Sequence, residues 1–138
     1  MGNKKILIIE DDPDVRLGMH IRLKANHYDT FFADDAFGAI AEARKHEPDL
    51  IILDLGLVAG DGFLVMERLK EVLSLSVIPV IVVSARDPHA NRERALKAGA
   101  KAFLQKPVDD AELLSVIRKA LGESESPLRP PLGDRRAI

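Results

Sequence analysis

Runs of apolar residues recur along the chain, and the segments between them are long enough for a helix. Each run has the length of a strand and is nearly continuous in apolar residues. The runs are ILII from Ile6, YDTFFA from Tyr28, DLIILDL from Asp49, IPVIVVSA from Ile78 and KAFLQ from Lys101. Continuous aliphatic strands separated by helices are typical of a parallel sheet that is covered on both faces.

The intervening segments carry apolar residues at helical spacing. Two clear examples are Phe63, Met66, Leu69, Val72 and Leu73, and then Leu113, Leu114, Ile117, Ala120 and Leu121. Strand and helix therefore alternate five times along the chain. This pattern predicts a doubly wound α/β fold, with a five-stranded parallel sheet and five helices on its two faces.

The segment VRLGMHIRL, from Val15 to Leu23, does not fit this scheme at first sight. It alternates apolar and polar residues as an exposed strand does, and Gly18 weakens a helix. Asp12 followed by Pro13 is nevertheless typical of a helix start, because aspartate caps the first turn and proline suits the first helical position. A crossover between parallel neighbours also needs a segment of this length. We therefore predict a helix whose N-cap is Asp12.

Composition narrows the class of protein. The 138 residues have a formal charge of only -2, which provides no electrostatic basis for binding nucleic acid or an anionic membrane. Because the chain contains no cysteine, disulfides, thiolate zinc sites and cysteine nucleophiles are excluded. No apolar run approaches the roughly 20 residues of a membrane helix, and the first residues do not resemble a signal peptide. We predict a cytoplasmic protein that binds neither membrane nor nucleic acid directly.

The end of the chain differs in composition from the rest. We predict one domain over residues 1–122, followed by a disordered, proline-rich tail over residues 123–138, ESESPLRPPLGDRRAI. Such a tail is also typical of a linker that has been separated from a longer protein. The sequence leaves open whether the chain is a complete protein or the first part of one.

Acidic residues follow two of the aliphatic runs directly. The first run leads into Glu10 and Asp11, beyond which Asp12 has its capping role, and Asp54 follows the aliphatic residues LIIL of the third run. Ligand sites in open α/β sheets lie at the carboxyl ends of the strands, so these acids converge if their strands are neighbours. Three converging carboxylates must take up protons or hold a cation. An open, all-oxygen site without a calcium-loop pattern favours Mg²⁺ over Ca²⁺.

Two further polar residues end the fourth and fifth runs. Ser84 closes VIVVS, and Lys106 follows KAFLQ just before Pro107. A hydroxyl and an ammonium that face a carboxylate and its metal can hold an anion with several oxygens, as phosphoryl transfer requires. Each residue also has a simpler explanation, because Ser84 could cap the next helix and Lys106 could do no more than pair with an acid. Their combination at separate strand ends favours a phosphoryl site.

Four segments, in this order and at this spacing, resemble the receiver domain of two-component response regulators. They are ILIIEDDPDVR, PDLIILDLGL with the later Asp61-Gly62, VIVVSA, and ALKAGAKAFLQKP. The resemblance covers residues 4–121 and implies a flavodoxin-like sheet, as in chemotaxis regulators, with strand order 2-1-3-4-5. It also implies a phosphoacceptor switch of a phosphorelay, with a sensor histidine kinase or histidine phosphotransfer protein as donor and a downstream protein or effector domain as target.

The resemblance assigns the metal site and the acceptor. Asp54 matches the phosphoacceptor, whose carboxylate attacks phosphorus in line and becomes an acyl phosphate. Glu10 and Asp11 match the acid pair that holds Mg²⁺, in which Asp11 contacts the ion directly and Glu10 through water. Asp54 itself and the backbone carbonyl of Gly56 complete the set of metal ligands.

The resemblance also assigns the residues that contact the phosphoryl group and transmit the signal. Lys106 and Ser84 match the ammonium and the hydroxyl that bind phosphoryl oxygens. Ser84 and Phe103 match the switch pair, in which the aromatic ring turns inward when the hydroxyl moves toward phosphate. The Lys106-Pro107 peptide matches a bond that is cis in this family. Phosphorylation should then favour a conformer with an altered surface around the fourth helix, the fifth strand and the fifth helix.

Some positions depart from, or vary within, the family pattern. Lys101 and Ala102 stand where one large DNA-binding subfamily has acidic residues for a salt-bridged dimer. We therefore expect a monomer, or a weak dimer that depends on phosphorylation. Gly56 and Arg86 occupy positions that tune self-dephosphorylation in the family.

Two other classes of function are alternatives to a phosphoacceptor switch. A pseudo-receiver, a binding module that takes no phosphate, is the main alternative, although every side chain that the chemistry needs is present. An aspartyl-phosphate phosphatase of the haloacid dehalogenase type would need an Asp two residues after the nucleophile, where this chain has Gly56. We expect no enzyme activity beyond assistance to its own phosphorylation and dephosphorylation.

Overall fold

The computed structural model describes residues 2–57 and 60–123. Its sheet has five parallel strands in the order β2-β1-β3-β4-β5. The strands are β1 (Lys5–Ile9), β2 (Asp29–Ala33), β3 (Leu50–Leu53), β4 (Val80–Ser84) and β5 (Ala102–Gln105). The predicted fold class and strand order are confirmed.

The described residues form six helices, one more than the five predicted. They are α1 (Pro13–Ala25), α2 (Ala36–His46), α3 (Gly62–Lys70), α4 (Leu73–Ser76), α5 (Pro88–Lys97) and α6 (Asp110–Ala120). The predicted fourth and fifth helices are thus α5 and α6.

The additional helix arises from a break after α3. The prediction of one continuous helix through Leu73 was wrong, because Val72 adopts an extended backbone with φ -109° and ψ 113°. Leu73 is consequently 86% exposed, whereas Leu75 turns into the core and is buried. After the break, Leu75 is therefore the buried residue, and not Leu73 as the apolar spacing suggested.

Helix α1 begins as predicted. The Asp12 side chain accepts hydrogen bonds from the N–H groups of Asp14, at 2.9 Å, and Val15, at 3.3 Å. Met19 and Leu23 are buried, while Leu17 and Ile21 on the same helix are more than half exposed. The alternating pattern therefore reflects a helix with exposed apolar residues, and not a strand.

The core consists of two clusters, one on each face of the sheet. Successive side chains of a strand point to opposite faces. Leu7 and Ile9 accordingly join the cluster that contains residues of α2 and α3, while Ile6 and Ile8 join the cluster under α1 and α6. All four side chains are fully buried. Burial on both faces explains why β1, β3 and β4 lack apolar–polar alternation.

The last described residues turn back onto the domain. Gly122 has a positive φ of 73°, and the Tyr28 hydroxyl donates a hydrogen bond of 2.7 Å to Glu123 Oε1. Glu123, the first residue of the tail predicted over residues 123–138, is thus described, whereas the rest of that prediction lies outside the described residues. Among the described helices, none has the length and apolar character that a membrane span requires.

Candidate functional site

The three predicted acids meet at the carboxyl edge of the sheet. Strands β1 and β3 are neighbours, with Ile9 paired to Leu53, and the Asp54 N–H donates to the Ile9 carbonyl at 3.0 Å. The residues that follow these strand ends therefore lie side by side. Glu10, Asp11 and Asp54 each offer a carboxylate oxygen, and these oxygens lie within 4.8 Å of one another. The geometric part of the prediction, convergence of the acids, is confirmed.

Lys106 enters this cluster from the end of β5. Its Nζ lies 2.6 Å from Glu10 Oε1 and 3.4 Å from Asp54 Oδ2. Glu10 is only 2% exposed and Asp54 7%. The ammonium thus contacts two carboxylates that are largely withdrawn from solvent.

Burial and ion pairing shift the pKa values of Glu10 and Lys106 in opposite directions. Burial raises the pKa of Glu10 above its ordinary value, against the hydrogen bonds that it accepts from Lys106 and from the Asp12 N–H. Burial alone would lower the pKa of Lys106, but the hydrogen bond to Glu10 and the charges of Asp54 and Glu10 outweigh it and raise that pKa. Lys106 is therefore a fixed cation at neutral pH.

The donor set fits a hard divalent cation. With all groups ionised, the three carboxylates exceed the one ammonium by two negative charges. Every side-chain atom in this cluster that could bind a metal is a carboxylate oxygen, which favours Mg²⁺ over softer metals. Gly56 adjoins the cluster, because its N–H donates to Asp54 Oδ1 at 3.2 Å. The predicted role of its carbonyl remains a prediction.

Ser84 lies at the end of β4, fully buried. Its Oγ accepts a hydrogen bond of 3.0 Å from the Arg86 N–H. Helix α5 is capped instead by Asp87, which accepts from the His89 N–H, so the simpler explanation of Ser84 as a helix cap is wrong. The Lys106 N–H donates to the Ser84 carbonyl at 2.9 Å, which fixes the two strand ends against each other.

Phe103 and Pro107 complete the predicted set. The Phe103 side chain is buried in the core cluster on the α2 and α3 face, and its carbonyl accepts a hydrogen bond from Arg92 Nη1 at 3.2 Å. Movement of this ring remains a prediction. The Lys106-Pro107 peptide is cis, as the resemblance implied.

Two neighbours of the site were missed by the sequence reasoning. Arg16 Nη1 donates to the Glu10 carbonyl at 3.0 Å and so ties α1 to the acidic turn, a contact for which the sequence has no local signal. Gly62 packs against the backbone that follows β3, since a Cβ there would lie 2.6 Å from the Asp54 carbonyl oxygen and from Leu55 Cα. The Asp61-Gly62 pair was the available signal for this close approach.

Comparison with known proteins identifies the family that the sequence resembles. The response regulator receiver domain family matches residues 6–118. The KDP operon transcriptional regulatory protein KdpE of Escherichia coli is 37% identical, over 91% of this chain and 54% of the relative. Response regulator PleD of Caulobacter vibrioides is 36% identical, over 83% of this chain and 25% of the relative. The chain therefore spans about half or less of these curated relatives.

Solved structures share the fold. The receiver domain of sensor histidine kinase PA1611 from Pseudomonas aeruginosa, which has a magnesium ion coordinated in its active site cleft, superposes with a TM-score of 0.80 at 26% identity, covering 89% of this chain and 100% of that one. The BeF3-activated receiver domain of RstA from Klebsiella pneumoniae has a TM-score of 0.78 at 26% identity, covering 86% and 98%.

A five-stranded parallel sheet with acids and a lysine at its carboxyl edge defines a flavodoxin-like α/β domain with a polar site at the strand ends. Within that class, the chain belongs to the response regulator receiver domain family of two-component systems.

Proposed function

We propose that this chain is a phosphoacceptor switch in which Asp54 accepts a phosphoryl group in a Mg²⁺-dependent reaction. One observation carries the proposal. Asp54 shares a largely buried cluster with two further carboxylates and with the Lys106 ammonium, 3.4 Å from its Oδ2. A carboxylate nucleophile, oxygen ligands for a cation and a fixed positive charge are the parts that phosphoryl transfer to an acid requires.

Asp54 is the nucleophile in this proposal. One of its oxygens forms a bond to phosphorus while the bond from phosphorus to the donor's imidazole nitrogen breaks, and that nitrogen keeps the electron pair. The hydrogen bond from the Gly56 N–H holds the carboxylate in place at Oδ1. Asp54 thereby becomes an acyl phosphate.

The residues that would hold Mg²⁺ are Glu10, Asp11 and Asp54, together with the backbone carbonyl of Gly56. A bound divalent cation supplies charge neutralisation for the phosphoryl oxygens as they approach three carboxylates. The magnesium reported in the cleft of the PA1611 receiver domain supports this choice of ion.

Lys106 and Ser84 bind the transferred group. The raised pKa of Lys106 keeps its ammonium charged, so it can leave Glu10 or Asp54 for a phosphoryl oxygen. The Ser84 hydroxyl already accepts one hydrogen bond, and its own proton is available as a donor to the anion. Both side chains are positioned by strand ends rather than by long loops.

The phosphoryl donor in this proposal is a sensor histidine kinase or a histidine phosphotransfer protein. A mostly apolar groove of about 490 Å³ lies beside the site, between Val15, Gly18 and Met19 of α1 and the Pro107–Val108 segment, and Lys106 borders it. Docking in this groove brings a donor histidine close to Asp54. A Val108→Glu variant should slow transfer from autophosphorylated kinases without slowing phosphorylation by a small phosphodonor. Equal slowing of both would contradict this docking site.

The output is a change of surface, and the chain has no turnover on outside substrates. Phosphorylation draws Ser84 toward the phosphoryl group and couples to Phe103, which alters the face formed by α5, β5 and α6. A downstream protein or effector domain reads that face. Lys101 and Ala102 stand where a DNA-binding subfamily has the acidic residues of a salt-bridged dimer, which supports a monomer or a weak phosphorylation-dependent dimer.

Intact mass spectrometry tests the proposal. The native chain is incubated with a small-molecule phosphodonor, with and without Mg²⁺, beside the isosteric variant Asp54→Asn. Asp49→Asn is a matched control, because Asp49 lies at the opposite end of β3, where it accepts a hydrogen bond from the Lys5 N–H. We expect one phosphoryl adduct that needs Mg²⁺, survives in Asp49→Asn and is lost in Asp54→Asn. A folded native chain without adduct would favour the pseudo-receiver.

A further inference from the structure

One ion pair joins the two loops beside Asp54. Arg86, between β4 and α5, places Nη2 3.4 Å from Asp61 Oδ2. Asp61 is also the N-cap of α3, where its other oxygen accepts a hydrogen bond from the Phe63 N–H at 2.8 Å. Because the cap uses Oδ1 and the ion pair uses Oδ2, capping of α3 does not depend on Arg86.

The Arg86 guanidinium also borders the acceptor site. Its Nε lies 3.9 Å from the position that a Cβ on residue 56 would take. Gly56 contributes no side chain to that space, and its N–H donates to Asp54 Oδ1. The backbone of Arg86 contacts the site as well, since its N–H donates to Ser84 Oγ. Arg86 is thus adjacent to both the acceptor loop and the hydroxyl residue.

The pair between Arg86 and Asp61 is easily exchanged. The side chains are 36% and 47% exposed, so solvent screens their attraction. Their 3.4 Å separation is longer than the roughly 2.7–2.9 Å of a strong charge-assisted hydrogen bond. A phosphoryl group offers up to about two negative charges and three acceptor oxygens, which makes it the stronger partner for a guanidinium.

Building on the proposed function, we infer that Arg86 changes partner when Asp54 is phosphorylated. Asp61 holds the guanidinium in the unphosphorylated protein, and the phosphoryl group holds it in the phosphorylated protein. Asp61 therefore competes with the phosphoryl group for one cation. Arg86 is a further phosphoryl-binding residue, while Asp61 is a positioning residue that lowers the affinity of the site for the anion.

A double-mutant cycle with beryllium fluoride, a stable phosphoryl mimic, tests this exchange. Binding in the presence of Mg²⁺ is measured by fluorine NMR for the native chain, Arg86→Gln, Asp61→Asn and the double variant. We expect Arg86→Gln to weaken binding about tenfold. Asp61→Asn keeps a good helix cap and should strengthen binding about two- to fivefold, the effect of a partly exposed ion pair. In the Arg86→Gln background, Asp61→Asn should not change the affinity for beryllium fluoride.

The cycle separates competition from general electrostatics and from folding. Thermal unfolding and Mg²⁺ affinity without fluoride are measured on all four proteins, and both should be similar in the native chain and Arg86→Gln. Unchanged binding in Arg86→Gln would overturn the inference, as would an equal Asp61→Asn effect with and without Arg86. If the native chain itself binds no beryllium fluoride, the proposed function fails, and the exchange fails with it.

Discussion

Loss of the Tyr28 proton should destabilise the folded protein. The Tyr28 side chain is 5% exposed, and its hydroxyl donates a hydrogen bond of 2.7 Å to Glu123. Burial, and then the hydrogen bond and the charge of Glu123, raise the pKa of Tyr28 from its ordinary value of 10.0 to about 12. A phenolate at this place would be buried beside a carboxylate.

The magnitude follows from the difference between the folded and unfolded pKa values. The folded state binds the phenol proton more tightly, so the stabilisation is complete below the unfolded pKa near 10 and is lost as pH rises toward 12. Two pH units correspond to about 2.7 kcal/mol in the free energy of unfolding. This is a large fraction of the roughly 5–15 kcal/mol that stabilises a domain.

The assay is direct because Tyr28 is the single tyrosine and the chain has no tryptophan. Ultraviolet absorbance of the phenolate is titrated on the folded chain and on the chain unfolded in urea, with circular dichroism to monitor the fold. We expect the unfolded chain to titrate near pH 10 and the folded chain well above it. A Tyr28→Phe variant should lose less stability than the native chain between pH 10 and 12.

A matched variant separates the causes. Glu123→Gln keeps an acceptor for the Tyr28 hydroxyl but removes the charge, so the pKa of Tyr28 should fall while remaining above its ordinary value, because burial persists. Titration of Tyr28 near pH 10 in the folded native chain would mean that burial and Glu123 do not raise its pKa. An unchanged pKa in Glu123→Gln would refute the role of that carboxylate.

The remaining predictions concern packing, capping and the charge of the site. Gly62→Ala should destabilise the chain by about 1–3 kcal/mol in urea unfolding, since its Cβ would lie 2.6 Å from the Asp54 carbonyl oxygen. Gly18→Ala, in the open middle of α1, should instead stabilise it by about 0.5–1 kcal/mol. Asp12→Ala should cost about 1 kcal/mol in the same assay through the lost cap. Lys106→Met should tighten Mg²⁺ binding in calorimetry and abolish phosphorylation, because the ammonium opposes the cation but attracts the anion.

Each of these results has a contrary outcome. Equal stability of Gly62→Ala and the native chain would contradict the close approach of Gly62 to the Asp54 carbonyl oxygen. A destabilised Gly18→Ala would mean that α1 has a neighbour at this face, and an unchanged Asp12→Ala would contradict the cap. Weaker Mg²⁺ binding in Lys106→Met would show that the lysine organises the acids rather than competing with the ion.

The sheet could be predicted because burial on both faces leaves a direct trace in sequence. Apolar runs predicted the strands, and the polar residues that end four of these runs marked the carboxyl edge of the sheet. The break at Val72 could not be predicted in this way, because apolar spacing continues through it. There the burial of Leu75, a tertiary effect, decided the local structure.

The place and the residue types of the cluster were predicted, and pairing of Lys106 with an acid was one interpretation of the sequence, but the particular acid was not predicted. Strand ends placed Glu10, Asp54 and Lys106 at one edge, whereas the 2.6 Å contact between Lys106 and Glu10 depends on side-chain conformation and burial. The pair formed by Arg86 and Asp61 joins loops 25 residues apart, and no periodic pattern relates them. Contacts between loops are the part of a site that sequence spacing describes least.

If Asp54 carries the phosphoryl group, chemical trapping will locate the modification at that residue. Borohydride reduces an acyl phosphate to an alcohol, so the treated, phosphorylated protein is digested and its peptides are analysed by mass spectrometry. We expect conversion of Asp54 to homoserine, only in samples that received Mg²⁺ and phosphodonor. Conversion at another carboxylate, or a phosphoryl adduct that borohydride leaves intact, would contradict it.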